Sequence, residues 1–398
     1  MNAPGHSATM SSWFASPPPP PPPLELPYEI VGAVLILLIT FLIISKITAP
    51  RPLPAGKITG VVVYPLKSAR GVNVRRASLD TRGLVYDRLW MAVDARGSFL
   101  SQRRAPKLAL VEPELPSSAD APLRLRFPGA KALEVPVVRD GPPTRVRVWD
   151  DHCDGIDQGD AAANWLSAVL EVEGARLVRM KEGARRPCDA RYAPRGSLTA
   201  YSDGFPLLLA SEASLGALNE RIAARGRGKK VPMDRFRPNL IVGDRFGDRD
   251  HRSGGAGGGL APFAEDGWAS IRVGGGGLSP ALVFGVVKPC ARCKIPTIDQ
   301  KTGVPDGAAG GARADFSDDE GGGPAAEAEP TATLRTFRTG SLLGYRKKGW
   351  AKDVFFAQNL TIAAAPPGGV VAVGDVVVAT PRRRPSWLAW GVRGVDYA

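Results

Sequence analysis

The feature that most constrains this chain is an uncharged apolar run, IVGAVLILLITFLIIS, at residues 30–45. A membrane-spanning helix needs about 20 such residues, and Tyr28, Ile47 and Thr48 extend the run toward that length. Glu29 and Lys46 stand at its ends, where long charged side chains reach the interface. A cleaved signal peptide would need a basic segment before the run and a small-residue cleavage site after it. No Lys or Arg precedes Lys46, and no A-x-A-like site follows. The expectation is an uncleaved anchor over residues 28–48. Lys46, Arg51 and Lys57 follow it, so the larger part of the chain is expected to face the cytosol.

The four cysteines, Cys153, Cys188, Cys290 and Cys293, are too few and too unevenly spaced for a secreted disulfide scaffold. A reducing compartment agrees with the orientation. The net charge of +13 raises nucleic acid as a partner. No aromatic-interleaved basic helix, zinc finger or Gly-Lys-Ser/Thr phosphate loop accompanies it, so none is expected.

The chain divides by composition. Residues 1–27 hold seven consecutive prolines, Pro17 to Pro23, which favour polyproline II over a packed core. Residues 49–57 read as a stiff linker. Short β-rich runs follow: ITGVVVYPL, LWMAVD, LRLRFPG, LEVPVV and TRVRVWD, then NLIVG, ASIRVGG, ALVFGVV and VVAVGDVVVAT. Helices are expected at 160–171, capped by Asp160, and at 211–224, starting at Ser211. The fold class is therefore α+β and β-dominated, in two contiguous modules at 58–185 and 195–380. Gly-rich stretches at 248–262 and 306–332 read as insertions, and 381–398 as a basic, aromatic tail.

Chemistry centres on KPCARCKIPTIDQKTG (288–303), where Cys290 and Cys293 form a C-x-x-C. A zinc site would need further ligands, and His6, His152 and His251 are not suitably paired. A thioredoxin-like pair would sit at a helix start, which the nearby Pro296 opposes. The third reading is one soft thiolate whose pKa is lowered by Lys288, Arg292 and Lys294. Spacing alone does not choose among these.

Other segments do. YPLKSARG (64–71), GLVYDRLWMAVD (83–94), FLSQRRAPKLALV (99–111), YSDGFPLLLASEASLGALN (201–219) and FRPNLIV (236–242) precede the C-x-x-C segment. FFAQNL (355–360) and VVAVGDVVV (370–378) follow it. In this order they resemble the MOSC family, with a MOSC N-terminal β-barrel domain ahead of a MOSC β-barrel domain.

The resemblance implies a bound molybdenum ion carried by molybdopterin, with Cys293 as the protein's thiolate ligand. A soft anionic sulfur suits a metal already held by sulfur. It also implies cofactor contacts from Lys67, Ser68, Arg88, Ser202, Arg237, Asn239 and Arg292, the arginines suiting phosphate through their planar fork. Asp203 becomes a candidate catalytic group, as proton donor or water-positioning carboxylate, and Asn359 falls near the cofactor. RRPCDARYAPRG (185–196) would line the cofactor mouth or form an exposed basic patch. The implied activity is reduction of N-hydroxylated compounds such as amidoximes and hydroxylamines at a mitochondrial outer membrane. Electrons would come from a cytochrome b5-type haem protein and its NADH-dependent flavin reductase, because the chain shows no haem, flavin or nucleotide motif. The alternative is a cofactor-binding or sulfur-carrying module like the end of a molybdenum-cofactor sulfurase. The stretch before the first module leaves no room for the pyridoxal-phosphate domain of such proteins.

Overall fold

The computed structural model describes residues 28–47, 50–226, 229–244, 259–274, 281–306, 328–345, 347, 349–366 and 368–382. The proline run, most of both Gly-rich insertions and nearly all of the basic tail lie outside these residues. Residues up to 49 and residues from 50 onward form two separate units.

The first unit is helix α1 (Tyr28–Ile47), which coincides with the apolar run. Between Ile30 and Ile39 its large apolar side chains are exposed. Among the described residues no helix is long and apolar enough to cross a membrane. The side chains of 28–29 and 41–47, within the expected anchor, lie outside the described set.

The second unit is β-dominated. Seven strands close into a barrel: β1 (Leu53–Val63), β6 (Leu207–Ser211), β7 (Leu240–Gly243), β8 (Trp268–Val273), β9 (Leu282–Ala291), β10 (Phe355–Ala364) and β11 (Val376–Pro381). Their order is β7-β6-β10-β9-β8-β11-β1, and β1 returns to pair with β7. Only the β6–β7 pair is parallel. Val, Leu, Ile and Phe line the interior, including Ile58, Val61, Leu209, Leu240, Ile271, Phe284 and Leu360. A closed ring leaves no unpaired edge.

The strand β1 lies in the first module's stretch of sequence but belongs to the second module's barrel. Its pairing with both β7 and β11 makes the two modules discontinuous in the chain. The rest of the first module forms an antiparallel sheet of β2 (Trp90–Val93), β5 (Arg176–Met180), β4 (Asp151–Asp157) and β3 (Pro143–Val148), in that order. A three-stranded sheet from Glu112–Glu114, Leu123–Arg126 and Leu133–Val135 adjoins it. Helix α2 (Asp160–Leu170) contributes Leu166, Val169 and Leu170 to the same core.

Gly159, not Asp160, caps α2. Asp160 is the first helical residue, and its carboxylate accepts from Arg176 Nη2 at 3.0 Å. Helix α3 (Glu212–Ala224) begins as expected: Ser211 is its N-cap, with Oγ accepting from the Ser214 N–H, and Leu218 and Ile222 are buried.

Candidate functional site

Loops from both modules meet over one open cleft. Lys67 and Ser68 follow β1, and Arg88 precedes β2. Ser202 and Asp203 precede β6, and Arg237 and Asn239 precede β7. Cys290 ends β9, and Arg292 and Cys293 follow it. All of these residues, with Asn359 on β10, line the cleft. Segments separated by more than two hundred residues are thus brought together by barrel closure.

The backbone here is constrained. Ser68, Arg88, Trp149 and Arg237 have φ of 67°, 47°, 56° and 58°, in the left-handed region that bulky L-residues rarely adopt. All four line the cleft. Such conformations concentrate at functional sites, where surrounding contacts hold them.

Two arginines share one ring. The Arg88 and Arg237 guanidinium carbons lie 4.1 Å and 4.4 Å from the Tyr64 centroid. Tyr64 remains a phenol: burial pushes its pKa up to about 12 against both cations, and its hydroxyl donates to the Pro238 carbonyl at 3.2 Å. Gly71 makes the ring's position possible, because a Cβ there would come within 2.6 Å of Tyr64 Cε1.

Asp87 ties these parts together. Its carboxylate accepts from the Tyr64 N–H at 2.8 Å, from Asn239 Nδ2 at 2.9 Å and from Arg88 Nη1 at 2.6 Å. Asn239 also donates to the Val62 carbonyl and accepts from Arg88 Nη1 and the Leu208 N–H. Its amide is fully engaged, so Asn239 positions Arg88 rather than offering a free polar group. Arg237 differs. It is buried, and its Nη2 has no hydrogen-bond partner among the described residues. Burial lowers its pKa to about 10, despite nearby Asp203 and Asp87.

Ser101 Oγ, Ser202 Oγ and Arg292 Nε are likewise buried without a partner among the described residues. Each unpaired buried polar group costs about 1–3 kcal/mol. Four of them lining one cleft mark a place built for a polar ligand.

Lys67 and Asp203 line the same cleft. Lys67 Nζ donates to Asp203 Oδ1 at 2.5 Å and to the Tyr201 carbonyl at 2.9 Å. Burial lowers the Lys67 pKa against the pull of Asp203. Burial also pushes the Asp203 carboxyl up, but Lys67 and Trp149 outweigh it and hold it well below the usual range. Asp203 is therefore ionised near neutral pH. Of its two suggested roles, positioning suits it and proton donation does not. Arg186 fixes this loop: it is buried, donates to the carbonyls of Ala200, Ser202 and Asp203, and pairs with Asp151. Arg186 thus supports the cleft from behind.

Cys293 is exposed to the cleft, and Cys290 is half-buried. Both are free thiols. Only a three-residue 3-10 turn, Ile295–Thr297, follows them, so the thioredoxin-like arrangement is not present. Arg292 donates from Nη1 to Cys290 Sγ at 3.0 Å and from Nη2 to the Phe236 carbonyl at 3.0 Å. The expectation of a lowered Cys293 pKa is overturned. Crowding by protein atoms pushes the thiol up and outweighs Arg292. Lys288 packs over the rings of Tyr192, Phe205 and Trp350.

The cleft's chemistry fits a molybdenum–molybdopterin group. Among the described residues no cluster of three or more metal-ligating side chains occurs. A metal at Cys293 would take its remaining ligands from the cofactor itself, and its charge would remove the thiol proton. Arg237, Arg292, Ser101 and Ser202 offer the unpaired polar atoms that a phosphate and a pterin require.

Sequence reasoning singled out none of Tyr64, Asp87, Ser101, Arg103 and Trp149, although all five stand inside quoted segments, and it named Arg186 only within the stretch 185–196; their roles exist only through contacts distant in sequence.

The chain matches the MOSC N-terminal beta barrel domain over residues 55–173 and the MOSC domain over residues 198–378. It is 30% identical to the mitochondrial amidoxime-reducing component 1 of Mus musculus over 261 residues, 63% of this chain and 68% of that protein. With the Homo sapiens protein of the same name it shares 28% identity over 334 residues, 81% of this chain and 82% of that one. The molybdenum cofactor sulfurase of Danio rerio is 30% identical over 62% of this chain but only 28% of its own length. With both domain matches in order and relatives covered over two thirds of their length, the chain belongs to the MOSC-domain family, related to the mitochondrial amidoxime-reducing components.

Proposed function

We propose that the protein is a membrane-anchored molybdenum-cofactor oxidoreductase that reduces N-hydroxylated compounds, amidoximes and hydroxylamines among them. The observation that carries this reading is one exposed thiol, Cys293, in a cleft with four buried polar atoms lacking partners. Cys293 would ligate the metal. Arg237, Arg292, Ser101 and Ser202 would hold the phosphate and the pterin, with Lys67, Ser68 and Arg88 around them and Asn239 fixing Arg88. Bound there, the cofactor supplies the two-electron chemistry that removes oxygen from an N–OH group. Asp203, kept ionised by Lys67, accepts a hydrogen bond from the substrate or from a water, and protons arrive through that water.

The exposed apolar side chains of α1 support an anchor, and the relatives' names support a mitochondrial location. The net charge of +13 favours an acidic electron donor, such as a cytochrome b5-type haem protein fed by an NADH-dependent flavin reductase. Raising salt should then slow NADH-driven turnover.

The test is to produce the full chain in a host that makes molybdopterin and to measure molybdenum per chain for wild type and Cys293→Ala. Amidoxime reduction is then assayed in both. Near-stoichiometric metal and activity in wild type alone are expected. The sulfurase match favours one second reading, a cofactor-binding module without reductase activity. Bound cofactor with no reduction would establish that reading instead.

A further inference from the structure

The turn between β3 and β4 has two residues, Trp149 and Asp150, because Val148 pairs with Asp151. Two-residue hairpin turns require positive φ at one or both positions and favour Gly, Asn or Asp there. Trp149 holds such a position with φ 56°. Its side chain is 40% exposed. Neither local turn chemistry nor core burial accounts for a tryptophan here.

What the side chain touches does. Trp149 lines the same cleft as Cys293. Its Nε1–H donates to Asp203 Oδ1 at 3.2 Å. Its ring lies 5.2 Å from Phe99, and the Arg103 guanidinium sits 4.5 Å from its centroid. Phe99 and Arg103 line the cleft as well. Both Lys67 and Trp149 bond Oδ1 of Asp203, and among the described residues no hydrogen bond reaches Oδ2. The Asp203 side chain is 68% exposed.

We infer that Trp149, backed by Arg103 and flanked by Phe99, forms a shelf selecting planar aryl N-hydroxy compounds, whose N–H or O–H donates to Asp203. This inference rests on the reductase reading given above. Arg103 lies against the indole and Phe99 stands at 52° to it, so the indole itself is the flat, polarisable surface on which a ring stacks. An amidoxime is neutral and planar at its C=N bond, and its donors match a carboxylate that only accepts. A small aliphatic amidoxime keeps those donors but has no ring. It would use Asp203 without the shelf.

The test is calorimetric binding of benzamidoxime and acetamidoxime to the full-length, cofactor-loaded protein without reductant, so that no turnover occurs. Wild type should bind benzamidoxime at least tenfold more tightly than acetamidoxime. Trp149→Ala should weaken benzamidoxime at least fivefold and acetamidoxime less than twofold. Trp149→Phe, which keeps a ring and loses the N–H, should retain the aryl preference within threefold. Unchanged benzamidoxime binding in Trp149→Ala, equal loss of both ligands, or loss of the aryl preference in Trp149→Phe would overturn the shelf. The expected binding pattern with no reduction of either compound on adding reductant would remove the reductase reading and leave the shelf. Reduction by wild type without an aryl preference would do the reverse.

Discussion

Lys67 and Asp203 form an ion pair whose burial is one-sided: 2.5 Å separates Nζ from Oδ1, and the side chains are 6% and 68% exposed. The lysine depends on the pair far more than the aspartate does. Asp203→Asn would leave a buried ammonium facing a neutral amide. Because solvent reaches the carboxylate, the expected loss is about 1 kcal/mol, not the several typical of a fully buried pair. The Asp203 pKa is lowered on folding, so its contribution is present above its unfolded value of about 4 and is lost as pH falls further. Urea unfolding of both proteins should show a constant difference from pH 5 to 7 that shrinks below about pH 4. A difference that grows on acidification would contradict the pairing.

Arg237 carries a buried charge in a left-handed backbone without a paired Nη2. The backbone conformation costs stability in either state, and the buried charge does so unless an anion is present. Asn tolerates the left-handed region and carries no charge. Arg237→Asn should therefore raise the stability of the cofactor-free protein by about 1 kcal/mol, while molybdenum per chain falls in a cofactor-producing host. Thermal melts with metal analysis check this, and a less stable cofactor-free variant would refute it.

Glu265 is completely buried. Its Oε1 accepts from Ser214 Oγ at 2.7 Å, and its Oε2 has no partner among the described residues. Burial first, then Asp266, raises its pKa from 4.5 to about 7. The folded state holds this proton longer than the unfolded state does. Stability therefore falls as pH rises from about 4.5 to about 7, with a full cost of up to about 3 kcal/mol above that. Glu265→Gln should flatten the profile, most visibly between about pH 4.5 and 7. Identical slopes for the two proteins would show that Glu265 titrates alike in the folded and unfolded states and would refute the shift.

Gly71 leaves the space that Tyr64 fills. A Cβ there would approach Val62 Cγ1 to 2.5 Å as well as the Tyr64 ring. Gly71→Ala should cost about 1–3 kcal/mol. It should also lower cofactor retention, since Arg88 and Arg237 both lean on that ring. Unchanged stability and metal content would mean the ring relaxes without consequence.

The parts of this site legible in sequence were those carried by short, chemically loaded strings. The C-x-x-C, FRPN and PLKS segments each deliver residues to the cleft because their loops adjoin barrel strands, FRPN leading into one and the other two leaving one. Asp87 and Tyr64 were hidden because Asp87 bonds Asn239, 152 positions away, and nothing local announces that contact. The Cys293 thiol was misjudged because charges were counted along the chain. In space, Lys288 turns to aromatic rings and desolvation dominates. The module boundary was drawn by adjacency in sequence, whereas β1 takes its place by pairing with β7 and β11.

That placement has a consequence for biosynthesis. The ring closes only when a strand beginning at Leu53 meets one ending at Pro381. A ribosome must therefore deliver almost the whole polypeptide before the barrel can shut. Until then the loops bearing Lys67, Arg237 and Cys293 have no common frame, and a chain still in synthesis has nowhere to receive a prosthetic group. Loading of the proposed cofactor would then be a post-translational event, and a truncated product lacking β11 would be unable to acquire it.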